Sequence, residues 1–138
     1  MSLFKRLAAW LAWLGWMGLI FFLSSRGELG LTLRRHDLIR DALAKLAHVI
    51  EYGGLALLTR CVLRQCGAAS RWSSVAAVLF AALYGASDEW HQSFVPGREA
   101  RVTDMMIDAA GAALAMWVGR LKVSKLKVGR LKEDEWQQ

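Results

Sequence analysis

From Leu7 to Leu23 the chain runs for seventeen residues without a charged side chain, and Lys5 and Arg6 stand just before the run. As a helix this stretch is about 26 Å long, close to the hydrocarbon thickness of a bilayer. A secretory leader is the competing reading. The run exceeds the usual apolar core of a leader, and its exit, Ser24-Ser25-Arg26, lacks small residues at both cleavage positions. The expectation is an uncleaved first membrane span.

Three further apolar runs follow. Leu46 to Leu63 is interrupted by His48 and Glu51; Trp72 to Ala86 and Met105 to Val118 are shorter and should lengthen into their polar flanks. A composition of 55% hydrophobic residues with seven Trp is too apolar for an ordinary soluble domain, so lipid must cover part of the surface. The chain therefore reads as all-α: an integral membrane bundle of about four transmembrane helices within residues 1–120, followed by a basic tail over residues 121–138. Before the second span, Leu38, Ile39, Ala42, Leu43 and Leu46 recur at helical spacing, with Asp37 placed to cap the start. The spacing predicts an interfacial turn running into that span.

Charge gathers between and after the apolar runs, with eighteen Lys and Arg against twelve acids, a net +6. Eleven of the basic residues (Lys5, Arg6, Arg60, Arg64, Arg71, Arg120 and five in the tail) fall on one side of the predicted topology and seven on the other. By the positive-inside rule both termini are cytoplasmic, and the loop from Ser24 to Lys45 and the loop after Ser87 face outward. The balance suits anionic phospholipid at least as well as nucleic acid, for which no motif is present. The tail repeats as GRLKV, SKLKV, GRLKE, a period that presents neither a helix face nor a strand face, and reads as a flexible end or as a basic strip on the inner leaflet. Cys61 and Cys66 lie five apart, neither a metal spacing nor a disulfide framework.

The chemistry-bearing residues fall in three segments. His48 and Glu51 are three apart on a helix entering the membrane, with Asp41, Lys45 and Tyr52 in the same third of the helical wheel. Ionisable groups at that depth must face protein or water. The third run ends with Tyr84, Asp88 and His91 on one face, flanked by Glu89 and Gln92. Pro96-Gly97 then marks a tight turn, and Arg98 follows it, able to hold a carboxylate or phosphate bidentately. The fourth segment starts at Asp104, with Asp108, Gly111 and Ala115 along one face, the small residues permitting close approach of another helix.

These segments converge at one depth on one side of the membrane. One reading is a polar knot in which Arg98, His48 and His91 neutralise Glu51, Asp88, Glu89 and Asp104 and hold short helices in register. Another is a metal centre for zinc or manganese, drawing on His48, His91, Glu51 and Asp88, though no HExxH or comparable spacing is present. A third is acid/base chemistry between a carboxylate near the low-dielectric boundary and an imidazole. Nucleophile elbows, phosphate loops and covalent-cofactor motifs are all lacking.

In order, H48-x-x-E51-Y52, S87-D88-E89-W-H91-Q92-x-F94-x-P96-G97-R98 and D104-x-x-x-D108-x-x-G111 resemble the VanZ-like family of small bacterial membrane proteins, over about Lys45 to Ala115. The resemblance implies a multi-pass protein of the bacterial cytoplasmic membrane, in a family whose founding member is tied to resistance toward the glycopeptide teicoplanin. It also carries the family's polar set onto His48, Glu51, Asp88, Glu89, His91, Gln92, Arg98 and Asp104. Asp108 stands where an Asn is often expected, and Ala115 where a second Gly is.

The leading expectation is an outer-leaflet pocket that binds or acts on a lipid-linked cell-envelope molecule or precursor. Arg98, Glu89, Gln92, Asp104, Asp108 and Tyr52 would bind it, with Glu51, Asp88, His91 and His48 in acid/base or metal roles. The alternative is a non-enzymatic envelope factor that binds lipid precursors or partner proteins and in which the cluster is structural.

Overall fold

A computed structural model of the chain describes residues 3–26, 37–96 and 101–135, and within these the backbone alone for 37–41 and 121–135. Four helices follow one another: α1 (Leu3–Ser24), α2 (Asp37–Gln65), α3 (Ser70–Gln92) and α4 (Val102–Glu135). No strand occurs among the described residues. Each predicted apolar run lies within a helix, and each helix is longer than its run. The amphipathic stretch before the second span is continuous with it, so Asp37 opens a single helix of 29 residues.

Cross-helix contacts fix the direction of every helix. At one end, the last turn of α1 meets the end of α3 through Ser24 and Asp88, and the early part of α2 meets the start of α4 through His48 and Asp108. At the other, Arg6 near the start of α1 reaches Gln65 at the end of α2, and Arg60 reaches Ser74 and Ser70 at the start of α3. The helices therefore run up, down, up, down, which short connections favour.

α1, Ala42–Gln65 of α2 and Val102–Arg120 of α4 are long and apolar enough to cross a membrane. α3 has the length, at 23 residues, but its inward side carries Ser73, Ser74, Asp88, Glu89 and Gln92, all buried, which lowers its hydropathy. Its outward side is Trp72, Val75, Leu79, Leu83 and Trp90, all exposed. Trp72 and Trp90 are five helical turns apart on one face, about 27 Å along the axis, a spacing that suits indoles at the two bilayer interfaces. Leu11, Phe22, Ile50, Leu57 and Leu114 on the other helices are likewise exposed, the surface expected where lipid is the solvent.

Half of the buried apolar core is alanine. Tyr52, Leu55, Ala56, Ala77, Ala81, Ala112, Met116 and Ile20 are buried together. α2 and α4 approach closely where Gly111 faces the backbone of Val49: a Cβ at Gly111 would come within 2.9 Å of the Val49 Cα. A Cβ at Gly53 would meet the Gly111 carbonyl oxygen at 3.4 Å and the Ala115 Cβ at 3.5 Å. The small face anticipated at Gly111 and Ala115 is thus the surface on which α2 packs, and van der Waals fit replaces the hydrophobic effect as the driving force between helices in lipid.

Indole and hydroxyl groups attach α1 to the rest. Trp13 Nε1 donates to Thr59 Oγ1 at 2.9 Å, Trp16 Nε1 donates to the Glu51 carbonyl at 2.8 Å, and the Tyr84 hydroxyl donates to the Met17 carbonyl at 2.9 Å. Trp16 also covers Gly54, where a Cβ would lie 2.8 Å from its ring.

α4 continues past Gly119 to Glu135, carrying the repeating basic segment as helical backbone. Leu, Lys, Arg and Glu dominate that segment and are good helix formers, so propensity sustains the helix where amphipathic periodicity is lacking.

Candidate functional site

Asp88 is the centre of the polar end. It sits four residues from the end of α3 and is 5% exposed. Its Oδ1 accepts from Ser24 Oγ of α1 at 2.5 Å; its Oδ2 accepts from the Tyr52 hydroxyl of α2 at 3.0 Å and from Gln92 Nε2, one turn on, at 2.7 Å. One carboxylate thus joins three helices. Donors of this kind are what a buried carboxylate needs in place of water.

Asp108 ties α4 into the same end. It is fully buried, and its Oδ1 lies 2.8 Å from His48 Nδ1. A carboxylate accepts, so Nδ1 carries the imidazole proton in this contact and Nε2 is the nitrogen turned away from it. The carboxyl group packs against Gly85 of α3, where a Cβ would come within 2.7 Å of Oδ2. Among the described residues Oδ2 has no hydrogen-bond partner. Only glycine at position 85 leaves room for this acid.

His48, Glu89 and Asp104, from α2, α3 and α4, each offer a ligand atom, and the three atoms lie within 4.8 Å of one another. Glu89 is buried, and its Oε2 also accepts the backbone N–H of Arg101 at 3.0 Å, which draws the segment after the turn onto α3. Imidazole with two carboxylates is a donor set for zinc or manganese. The Asp108 carboxylate behind His48 has the place of the acceptor that commonly orients a metal-binding imidazole.

A cavity of about 130 Å³ lies beside this group, lined by Leu23, Ser24, Ala44, Ala47, His48, Glu51, Asp88 and Gln92. That is room for about four waters at liquid density, well below the volume of a pocket for a drug-sized molecule. The space is of a size for a headgroup or a hydrated ion.

The residues anticipated from sequence divide accordingly. His48, Glu51, Asp88 and Gln92 line the cavity; Glu89 and Asp104 join His48; Tyr52 and Asp108 act from behind, holding Asp88 and His48. His91 turns the other way. Its Nε2 lies 3.0 Å from Ser25 Oγ, just past the end of α1, and its ring rests on Phe21 of α1 with centroids 4.7 Å apart. Of the four residues first considered as metal ligands, His48 alone belongs to the trio; the others are His91, packed against Phe21 of α1, Asp88, bonded by three donors, and Glu51, on the cavity wall. Arg98 and the side chain of Asp41 lie outside the described residues. Ser24 and Gly85 were not anticipated. The signal for Ser24 was its position, a hydroxyl ending an apolar run at the depth of the acids.

The family model described as VanZ/LLP1 matches residues 7–123, which takes in the membrane portion of all four helices and the whole polar end. The chain belongs to the VanZ/LLP1 family. No curated protein and no solved structure matches it. The family match covers α1 as well as the motif-bearing helices, consistent with Trp13, Trp16 and Ser24 of α1 and the adjoining Ser25 each bonding one of the others.

Proposed function

We propose that this VanZ-family protein lies in the bacterial cytoplasmic membrane with both termini inside. Its Asp88 end, at the outer leaflet, binds the charged headgroup of a lipid-linked envelope component through a divalent cation held by His48, Glu89 and Asp104. The observation that carries the reading is the convergence of those three side chains from three helices, with Asp108 fixed behind the imidazole. Structural needs alone do not call for an imidazole backed by a buried carboxylate beside two more acids.

The cavity size supports a headgroup, with the remainder of the ligand in lipid or in the outer aqueous layer. A protein that sequesters or alters such a component would change how a glycopeptide meets its target, which is the route by which this chain would bear on teicoplanin susceptibility. Asp88 takes a positioning role here, since its oxygens are already engaged by Ser24, Tyr52 and Gln92. That same engagement favours a second reading, in which the end is a structural knot and the protein a non-enzymatic factor acting through protein partners.

Native mass spectrometry of the protein in gentle detergent separates the two. The proposal expects one zinc or manganese per chain, lost on chelation and in His48→Ala, and a phosphate-bearing lipid whose retention falls in Arg98→Ala. Metal-free wild type, loaded with neither ion, together with lower thermal stability in both variants, would establish the knot.

A further inference from the structure

The opposite end of the bundle holds a larger cavity, about 640 Å³, lined by Arg6, Leu57, Arg60, Cys61, Arg64 and Gln65. Arg60 and Arg64 are one turn apart on α2; Leu57, Cys61 and Gln65 form the neighbouring row at the same spacing; Arg6 comes from the first turns of α1. Three guanidinium groups from two helices thus line one space.

Their known bonds are all to neutral acceptors. Arg6 donates to the Gln65 carbonyl at 3.2 Å, Arg64 to the Ala68 carbonyl at 2.6 Å, and Arg60 to Ser74 Oγ at 3.1 Å and Ser70 Oγ at 3.3 Å. Among the described residues no carboxylate lies within ion-pair distance of any of the three. A guanidinium has five N–H donors in a fixed fork, so each keeps donors in hand and, among the described residues, a charge with no carboxylate partner. The contacts that position the arginines leave their charge for something else to neutralise.

We propose that this cavity is a phosphate site, occupied by the phosphodiester headgroup of an anionic phospholipid. Arginine forks match phosphate oxygens bidentately. Leu57 and Cys61 on the cavity wall are both exposed, apolar surface against which the start of an acyl chain can lie. The volume accommodates the headgroup together with the start of its chains, five times the space at the Asp88 end. The site is independent of the proposed function, since it shares no residue with the Asp88 end.

Ordinary snorkelling of basic side chains toward an anionic surface is the competing account, and it predicts an effect that depends on charge alone. Arg71 provides the control. It stands at the same end, exposed, with its guanidinium over the Trp72 ring, and it does not line the cavity.

The test is native mass spectrometry of the full chain taken from phosphatidylcholine vesicles containing phosphatidylglycerol. Wild type should retain one phosphatidylglycerol. Retention should fall about tenfold or more in R6Q/R64Q, whose sites are exposed and spare the fold, and stay unchanged in R71Q. Leu57→Trp, which fills the cavity without altering charge, should lower retention as well. Equal loss in R71Q, or equal retention of phosphatidylcholine, would overturn the site. Displacement of the lipid by millimolar inorganic phosphate would assign the same phosphate chemistry to a soluble ion and overturn the lipid as occupant.

Discussion

The two ends of this bundle handle charge in opposite ways. At the Asp88 end, acids are buried and engaged from inside the protein: Asp88 by donors from three helices, Asp108 by His48, Glu89 by the backbone of Arg101. At the Arg60 end, cations sit around an open space and bond only neutral oxygens. A buried carboxylate away from water must be satisfied by the fold or it opposes the fold. An arginine on a flexible stem can reach the interface and wait for a partner from the membrane. Removing charge from the first end should therefore cost stability, and from the second it should cost binding.

The largest expected effect is Asp88→Ala. It deprives the buried Tyr52 hydroxyl and Gln92 amide of their acceptor, and unfolding in detergent should register a loss of about 2–4 kcal/mol. Asp88→Asn keeps one acceptor oxygen and should lose less. If Asp88→Ala were no more destabilising than an arginine substitution at the other end, the contrast would be broken.

Gly85→Ala comes next. The new Cβ meets the Asp108 carboxyl at 2.7 Å with the helix backbone behind it, for a cost of about 1–3 kcal/mol. Gly15→Ala, where nothing lies within 4 Å, should be neutral or stabilising by up to about 1 kcal/mol. Comparing the two midpoints sharpens the claim that close packing is confined to particular crossings.

Arg64→Gln should change stability by no more than about 0.5 kcal/mol, as expected for an exposed side chain bonded only to a nearby carbonyl, while altering lipid retention. The smallest effect belongs to deletion of Lys122 to Gln138. Unfolding of the remaining bundle and metal retention at His48 should match the full chain within measurement error, and a loss of metal would show that the tail reaches the opposite end.

Much of this architecture was legible because lipid imposes so few solutions on a chain. Leu7–Leu23 had the length and composition of a span, and the small face at Gly111 and Ala115 announced a close helix crossing. α3 was harder to bound, because Ser73, Ser74, Asp88 and Glu89 turn inward and dilute its hydropathy. For the site, sequence showed that acids and imidazoles share a depth, but pairing depends on how each helix is rotated about its axis. That rotation directs His48 to Asp108 and sends His91 to Ser25 and Phe21. Gly85 carried no signal of its own, since the atom it accommodates lies on another helix.

Ser24 and Ser25 bear on the order in which the protein is made. Their partners, Asp88 and His91, are synthesised more than sixty residues later, yet both hydroxyls also donate to the Phe21 carbonyl within α1, at 3.2 and 2.7 Å. A hydroxyl bonded to its own helix can enter hydrocarbon without an unpaired donor. The first helix can thus leave the ribosome's insertion machinery alone and remain in the bilayer. Each serine exchanges or shares its local bond for a distant one when the third helix arrives, so neither hydroxyl is left unpaired in lipid on the way.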